Sequence, residues 1–311
     1  MIGAGRPVWE DETAPDDLLV LEAPDEPPRT CDVLVVGGGA IGLAIAATCT
    51  RRGMNVVVVD AARLAGGASG RAAGGLAPDA HPQAGPEWHA YARRSLELHH
   101  ELDAEWHYGL ETLDLRVVDV GIIERQARVN PLEMAAAFAR HAGTVCSHVQ
   151  EHAVTSDVVV YATGAADTTR TVKGHLIATE PAPFRLGEIV ATIDSEFLAL
   201  QLPSGRIVAG GTKEPDDAAP DVRDATVDHI RTKLVEVVPD AADLEVSHAW
   251  TCFRPASGDE LPVIDRVDGG NYIASGFYST GILMAPVAGE LIANALEGAP
   301  LPGAFAARRF R

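Results

Sequence analysis

With 311 residues, 47% of them hydrophobic and 22% charged, the chain can bury a full core as one large or two medium domains. A formal net charge of −19 argues against nucleic acid or an anionic membrane as a partner, and leaves open a small substrate, which feels only the local field. Cys31, Cys49, Cys146 and Cys252 are too widely spaced for a CxxC pair or a disulfide framework, and no leader or membrane-length apolar run is read, so a soluble, cytoplasmic protein is expected.

Residues 1–30 hold eight acids, two arginines and five prolines around one apolar patch, Leu18 to Leu21. Their composition predicts a disordered extension, with a strap docked through Leu-Leu-Val-Leu as the alternative. The stretch Cys31 to Leu76 organises the rest. An apolar run, Val33 to Val36, enters Gly37-x-Gly39-x-x-Gly42, a helical segment runs to about Arg52, and Val56 to Val59 ends on Asp60. In a dinucleotide site Gly37 makes the tight turn, Gly39 lets backbone approach a pyrophosphate, and Gly42 packs the helix on the sheet. Free N–H groups at the helix start face the phosphates, and Asp60 accepts from the adenosine ribose. Next comes Ala68-Ser69-Gly70-Arg71-Ala72-Ala73-Gly74-Gly75-Leu76, too small-sided to fill a core. A loop laid against a large planar ligand is favoured there over a flexible linker.

A helix is predicted over 87–108, with His89, His99, His100 and His107 on or near it; their spacing matches no tidy metal set, and a solvated face is expected. A short strand pair follows over 113–128, then a helix over 132–141 capped by Asn130 with Pro131 first. A strand is read over 145–149, and Asp157 to Ala165 repeats the pattern of a buried strand running into glycine. Antiparallel strands are read over 189–211, a helix over 224–237, a strand over 272–274 and a last helix over 285–296. Lysine occurs only at 173, 213 and 233, so each one merits inspection.

Six ordered blocks, the glycine fingerprint, Ser69 to Leu76, Asn130-Pro131, Val160-Tyr161-Ala162-Thr163-Gly164, Gly210-Gly211-Thr212-Lys213-Glu214 and the tail from Arg254-Pro255 to Pro286, resemble the FAD-dependent D-amino acid oxidase superfamily. The likeness is to glycine oxidase, with touches of sarcosine oxidase, and covers nearly the whole chain from residue 31. It implies an α/β fold: an FAD-binding Rossmann-type domain (31–80, 143–175 and 255–311) with an interleaved, reduced antiparallel-sheet substrate domain (81–142 and 176–254) after the 1–30 extension. It also implies oxidation of an amine carbon by hydride transfer to flavin, reoxidation by O2 to peroxide, and hydrolysis of the imine.

Carried over by position, the resemblance sets Ala40 and Ile41 at the pyrophosphate, Asp60 and Ala61 at the ribose, and Ala68, Ser69, Ala73, Gly74 and Gly75 at the flavin. Val149 holds the adenine side through its backbone, and Ala162 and Gly164 lie in the second glycine turn. Phe277, Tyr278, Ser279, Thr280, Gly281, Ile282 and Leu283 close over the flavin's pyrimidine end, with Tyr278 counted among the catalytic candidates. Arg254 matches the arginine that grips the substrate carboxylate through a planar two-pronged contact. Lys213 falls where sarcosine oxidases keep a lysine that stabilises charge on reacting oxygen. Cys252 lies near the position of covalent flavin attachment in sarcosine oxidases, although a buried, inert cysteine and non-covalent FAD are favoured.

The chain departs from glycine oxidases in lacking their substrate-binding tyrosine, with Phe197-Leu198-Ala199-Leu200 in its place, and in having Ser279 where they have arginine. The stretch before Asn130 and residues 149–157 are also shortened, which reshapes the pocket lid. The leading expectation is an oxidase of a small amino acid or N-alkylated amino acid, with O2 as acceptor. The alternatives are a dehydrogenase serving a quinone or protein, a flavoprotein without turnover that acts as a binding or assembly subunit, and an NAD-dependent dehydrogenase. Homo-oligomerisation is left open.

Overall fold

Val56–Val59 is four consecutive valines, all buried, and its side chains alternate between two apolar clusters. Val56 and Val58 join the main core, whereas Val57 and Val59 meet Leu34 and Cys146 on the other face. Burial on both faces suits a parallel sheet. The computed structural model, which describes residues 5–22, 26–81, 84–165, 169–194 and 196–310, places this strand in a six-stranded sheet. The order is 263–266, 272–275, 155–164, 30–36, 56–59, 144–146, all parallel except the first strand, which runs antiparallel to its neighbour. Helix Ala40–Arg51 packs on this sheet and against the C-terminal helix Gly281–Leu296.

A second, mostly antiparallel sheet has the order 214–215, 169–179, 207–210, 198–201, 188–191, 111–117, 121–128, 75–76, and Val246–Ser257 also pairs with Thr169–Thr179 along its whole length. Thr169–Thr179 therefore lies in the second sheet, so residues 169–175 sit apart from the cofactor-side segment in which the sequence reading grouped them. Asn130 caps helix Pro131–His141 as read, its Oδ1 accepting from Leu132 N at 3.0 Å.

Three expectations are corrected. Residues 9–21 form two short helices, Trp9–Glu12 and Pro15–Leu21, docked on the body with Trp9 and Leu21 buried. The acidic composition masked two large apolar anchors that offset the ordering entropy of a short segment. On helix Pro86–Trp106, His99 is fully buried rather than solvated: Nε2 meets the Ile282 carbonyl at 3.0 Å, Nδ1 meets Tyr108 Oη at 3.1 Å, and burial lowers its pKa to about 4. Lastly, Tyr278–Leu296 is long and apolar enough to cross a membrane, but 72% of it is buried, as suits a core helix.

Candidate active site

The glycine turn leaves no room for side chains. Gly37 has φ +112°, and a Cβ on Gly42 would lie 1.9 Å from the Gly37 carbonyl oxygen. Strand and helix can meet this closely only through glycine. Gly39 begins helix Ala40–Arg51 without a side chain to cap it, and Ser69, 29 residues on, supplies the missing acceptor: Ala40 N donates to Ser69 Oγ at 2.9 Å. Asp60 is fixed at the end of its strand, where Oδ2 accepts from Gly38 N at 2.7 Å and Oδ1 from Ala62 N at 2.8 Å.

From this turn a cavity of about 410 Å³ runs between residues of both sheets. Of the predicted residues, Gly37, Gly39, Ala40, Ile41, Asp60, Ala68, Ser69, Ala73, Gly74, Gly75, Ala162 and Gly164 line it, as do Phe277, Tyr278, Ser279, Gly281 and Ile282. Lys213, Cys252 and Arg254 line it as well. Gly42, Ala61, Val149, Thr280 and Leu283 are not among the residues that line it, and the Val149 N–H donates to the Asp60 carbonyl at 2.9 Å.

The loop that forms one wall is held by two tryptophans the sequence reading did not single out. Trp9 Nε1 donates to the Ala72 carbonyl at 2.7 Å, and Trp250 Nε1 to the Arg71 carbonyl at 3.0 Å. Both side chains are buried. Trp9, on the N-terminal strap, thus belongs to the support of the site. Only its residue type hinted at this, since a tryptophan in an acidic segment needs a seat.

Arg254 extends across the strand Thr169–Thr179, over Gly174, and its Nη1 donates to the Thr212 carbonyl at 2.8 Å. A Cβ on Gly174 would lie 2.4 Å from Arg254 Nη2, so this glycine is what lets the guanidinium lie flat there. The guanidinium carbon sits 5.9 Å from the centre of the Tyr278 ring. Tyr278 has φ +48°, a costly conformation for a bulky residue and a mark of functional sites. Burial pushes its phenol pKa up, keeping it neutral. Behind the sheet His175 and Glu214 brace the same segment: His175 N donates to Thr212 Oγ1 at 2.8 Å, and His175 Nδ1 lies 2.8 Å from Glu214 Oε1.

His81 also lines the cavity and was not anticipated; burial, with Lys213 and His89 adding to it, lowers its pKa to about 4 and leaves the ring neutral. Cys252 is buried, its Sγ lies 3.7 Å from the Ala68 carbonyl, and burial pushes the thiol pKa up, which makes it a poor nucleophile. Among the described residues no group of three or more His, Cys, Asp or Glu side chains could hold a metal.

The profile of one family, described as FAD dependent oxidoreductase, matches residues 32–136 and 120–295. The chain belongs to that family. Among curated relatives of this flavoprotein, the hydrogen cyanide synthase subunit HcnC of Pseudomonas protegens is 31% identical over 160 residues, covering 50% of this chain and 38% of that protein. The glycine oxidase of Bacillus licheniformis is 31% identical over 100 residues, 32% of this chain and 27% of that one. The chain spans half or less of the length of the first curated relatives it matches. In fold, the flavoprotein resembles the crystal structure of L-proline dehydrogenase from P. horikoshii, with a TM-score of 0.83, 18% identity and coverage of 91% and 98% of the two chains.

FAD, the cofactor of the family, fits the cavity. A Cβ on Gly39 would lie 3.2 Å from Ser69 Oγ and crowd the cradle at the helix start, which the bare position leaves open. The N–H groups there carry the positive end of the helix dipole, and the Asp60 carboxylate is fixed beside them at the end of the second strand. The alanines and glycines of 72–75 form a smooth wall against which a flat ring system can lie.

Proposed function

We propose that this flavoprotein oxidises the carbon–nitrogen bond of a small amino acid or N-alkylated amino acid. The observation that carries this reading is Arg254, a cation in the cavity wall with no carboxylate partner among the described residues, aligned by the Thr212 carbonyl and the Tyr278 ring. A guanidinium so held receives a carboxylate through two parallel hydrogen bonds and fixes the adjacent carbon in one orientation. Bound FAD supplies the acceptor for a hydride from that carbon. The substrate amine must shed its proton before its lone pair can follow the departing hydride; water then adds to the resulting imine and releases the amine. Small apolar wall residues such as Ala191 and Leu198 exclude bulk water.

O2 is the proposed final electron acceptor, taking two electrons and two protons to become H2O2. The Lys213 ammonium, on the cavity wall, stabilises the negative charge that oxygen gains. Anaerobic mixing of the holoenzyme with glycine, sarcosine, D-alanine and proline tests the reading by bleaching of the flavin. If none of the panel bleaches it, the amino acid reading fails. Reduction followed by sluggish reoxidation in air points instead to a quinone or protein acceptor.

A further inference from the structure

Resting on that reading, we infer that the substrate carries two carboxylates, one held by Arg254 and the other by Lys213. Acids outnumber lysines and arginines 44 to 25, so a cation without a counter-ion stands out. Lys173 Nζ pairs with Asp221 at 2.9 Å and Asp217 at 3.7 Å, and Lys233 pairs with Glu236 at 2.8 Å. Lys213 has no ion pair among the described residues, and it is the lysine that lines the cavity. Arg254 is the second unpaired cation there.

The two groups are neighbours by construction. The carbonyl that anchors Arg254 belongs to Thr212 and forms one half of the peptide bond leading into Lys213. Strand pairing sets Arg254 opposite Val172 and Glu214 opposite Lys173, so Lys213, alternating with Glu214, shares the face of Arg254. Among the described residues the only acid lining the cavity is Asp60, engaged by Gly38 N and Ala62 N. Asp194 feels the charge of Lys213 but is exposed and off the wall, its Oδ1 taken by Thr192 Oγ1 at 2.6 Å and Glu196 N at 3.0 Å. His81, on the same wall, is neutral. Among the described residues the wall beside Arg254 and Lys213 thus carries two positive charges and no carboxylate, with Asp194, Glu196 and Glu260 acting from outside it. A monocarboxylate balances one; a dicarboxylate balances both. This use of Lys213 belongs to the step in which substrate is bound, and its role toward oxygen follows release of the product.

The test is a titration of holoenzyme, read by the visible absorbance of the flavin, with malonate, succinate and glutarate against acetate and propionate. At least one dicarboxylate is expected to bind tenfold or more tightly than propionate, and K213M is expected to lower that ratio at least tenfold. A ratio near one in the wild type, or a ratio that survives K213M while reoxidation by O2 slows, overturns the proposal and leaves Lys213 to oxygen alone. Anaerobic reduction by D-alanine and D-aspartate separates the two levels. Reduction by D-alanine with no advantage for D-aspartate refutes only the second carboxylate; no reduction by either, nor by glycine, sarcosine or proline, refutes the amino acid reading beneath it.

Discussion

Replacing Gly174 with alanine tests the placement of Arg254 without touching the arginine. The added Cβ would lie 2.4 Å from Arg254 Nη2, 2.7 Å from its Cζ and 2.6 Å from the Thr212 carbonyl oxygen. The guanidinium is the end of a flexible side chain and can swing away, while the Thr212 carbonyl, in the link between strands 207–210 and 214–215, must shift as well, so the 2.8 Å bond between them is lost. A hydrogen bond to a charged group is worth about 1.5–3 kcal/mol, which is about 10- to 150-fold in affinity. G174A should therefore weaken propionate binding, followed through the flavin spectrum, by that factor, and lower kcat/KM for a carboxylated substrate in step. Bound FAD should stay near one per chain, because the atoms the new Cβ meets belong to Arg254 and Thr212 and not to the Gly37–Ile41 turn. G174A protein with full FAD and wild-type propionate affinity would refute the assignment of the carboxylate to Arg254.

Two further outcomes follow from the supporting shell. W9F removes the indole N–H from the partly buried Ala72 carbonyl, at a cost of about 1 kcal/mol, and should lower the thermal midpoint and speed FAD loss on dilution; an unchanged FAD release rate would show that the strap does not support the loop. His99 is neutral in the fold, with its pKa lowered from 6.5 to about 4 by burial, so between these values only the unfolded chain takes up its proton. The stability it confers is complete above pH 6.5 and is lost as pH falls toward 4, by about 3 kcal/mol. Urea unfolding at pH 7.5 and pH 4.5 should show a smaller loss in H99Q than in the wild type, and equal losses would refute the account.

The parallel sheet and its glycine turn were legible because their signals are local: a valine run, a fixed glycine spacing and an acid at the strand end all fall within Val33 to Asp60. The antiparallel strands over 188–210 and helix Pro131–His141 were legible for the same reason, through alternation and the Asn130-Pro131 cap. What escaped depends on contacts between distant residues. The link from Arg254 to Thr212 crosses a third strand at Gly174, and no window of sequence contains all three. Ser69 capping a helix 29 residues earlier is likewise invisible to a reading that looks for caps beside their helices. His81 showed no periodic or motif signal, and helices of four and seven residues are too short for periodicity to reveal the seat of Trp9.

The N-terminal strap also has a consequence for the order in which the molecule is completed. Its tethers reach ever later in the chain: Trp9 to Ala72, Thr13 to Asn130 through Nδ2 at 2.8 Å, and Asp11 to His248 at 3.0 Å. A segment that precedes both sheets is thus among the last whose seat is finished, since residue 248 must be made before it closes. Until then the wall at Ala72 lacks its backing. Nascent chains should gain tight cofactor retention only after the strand Val246–Ser257 has emerged.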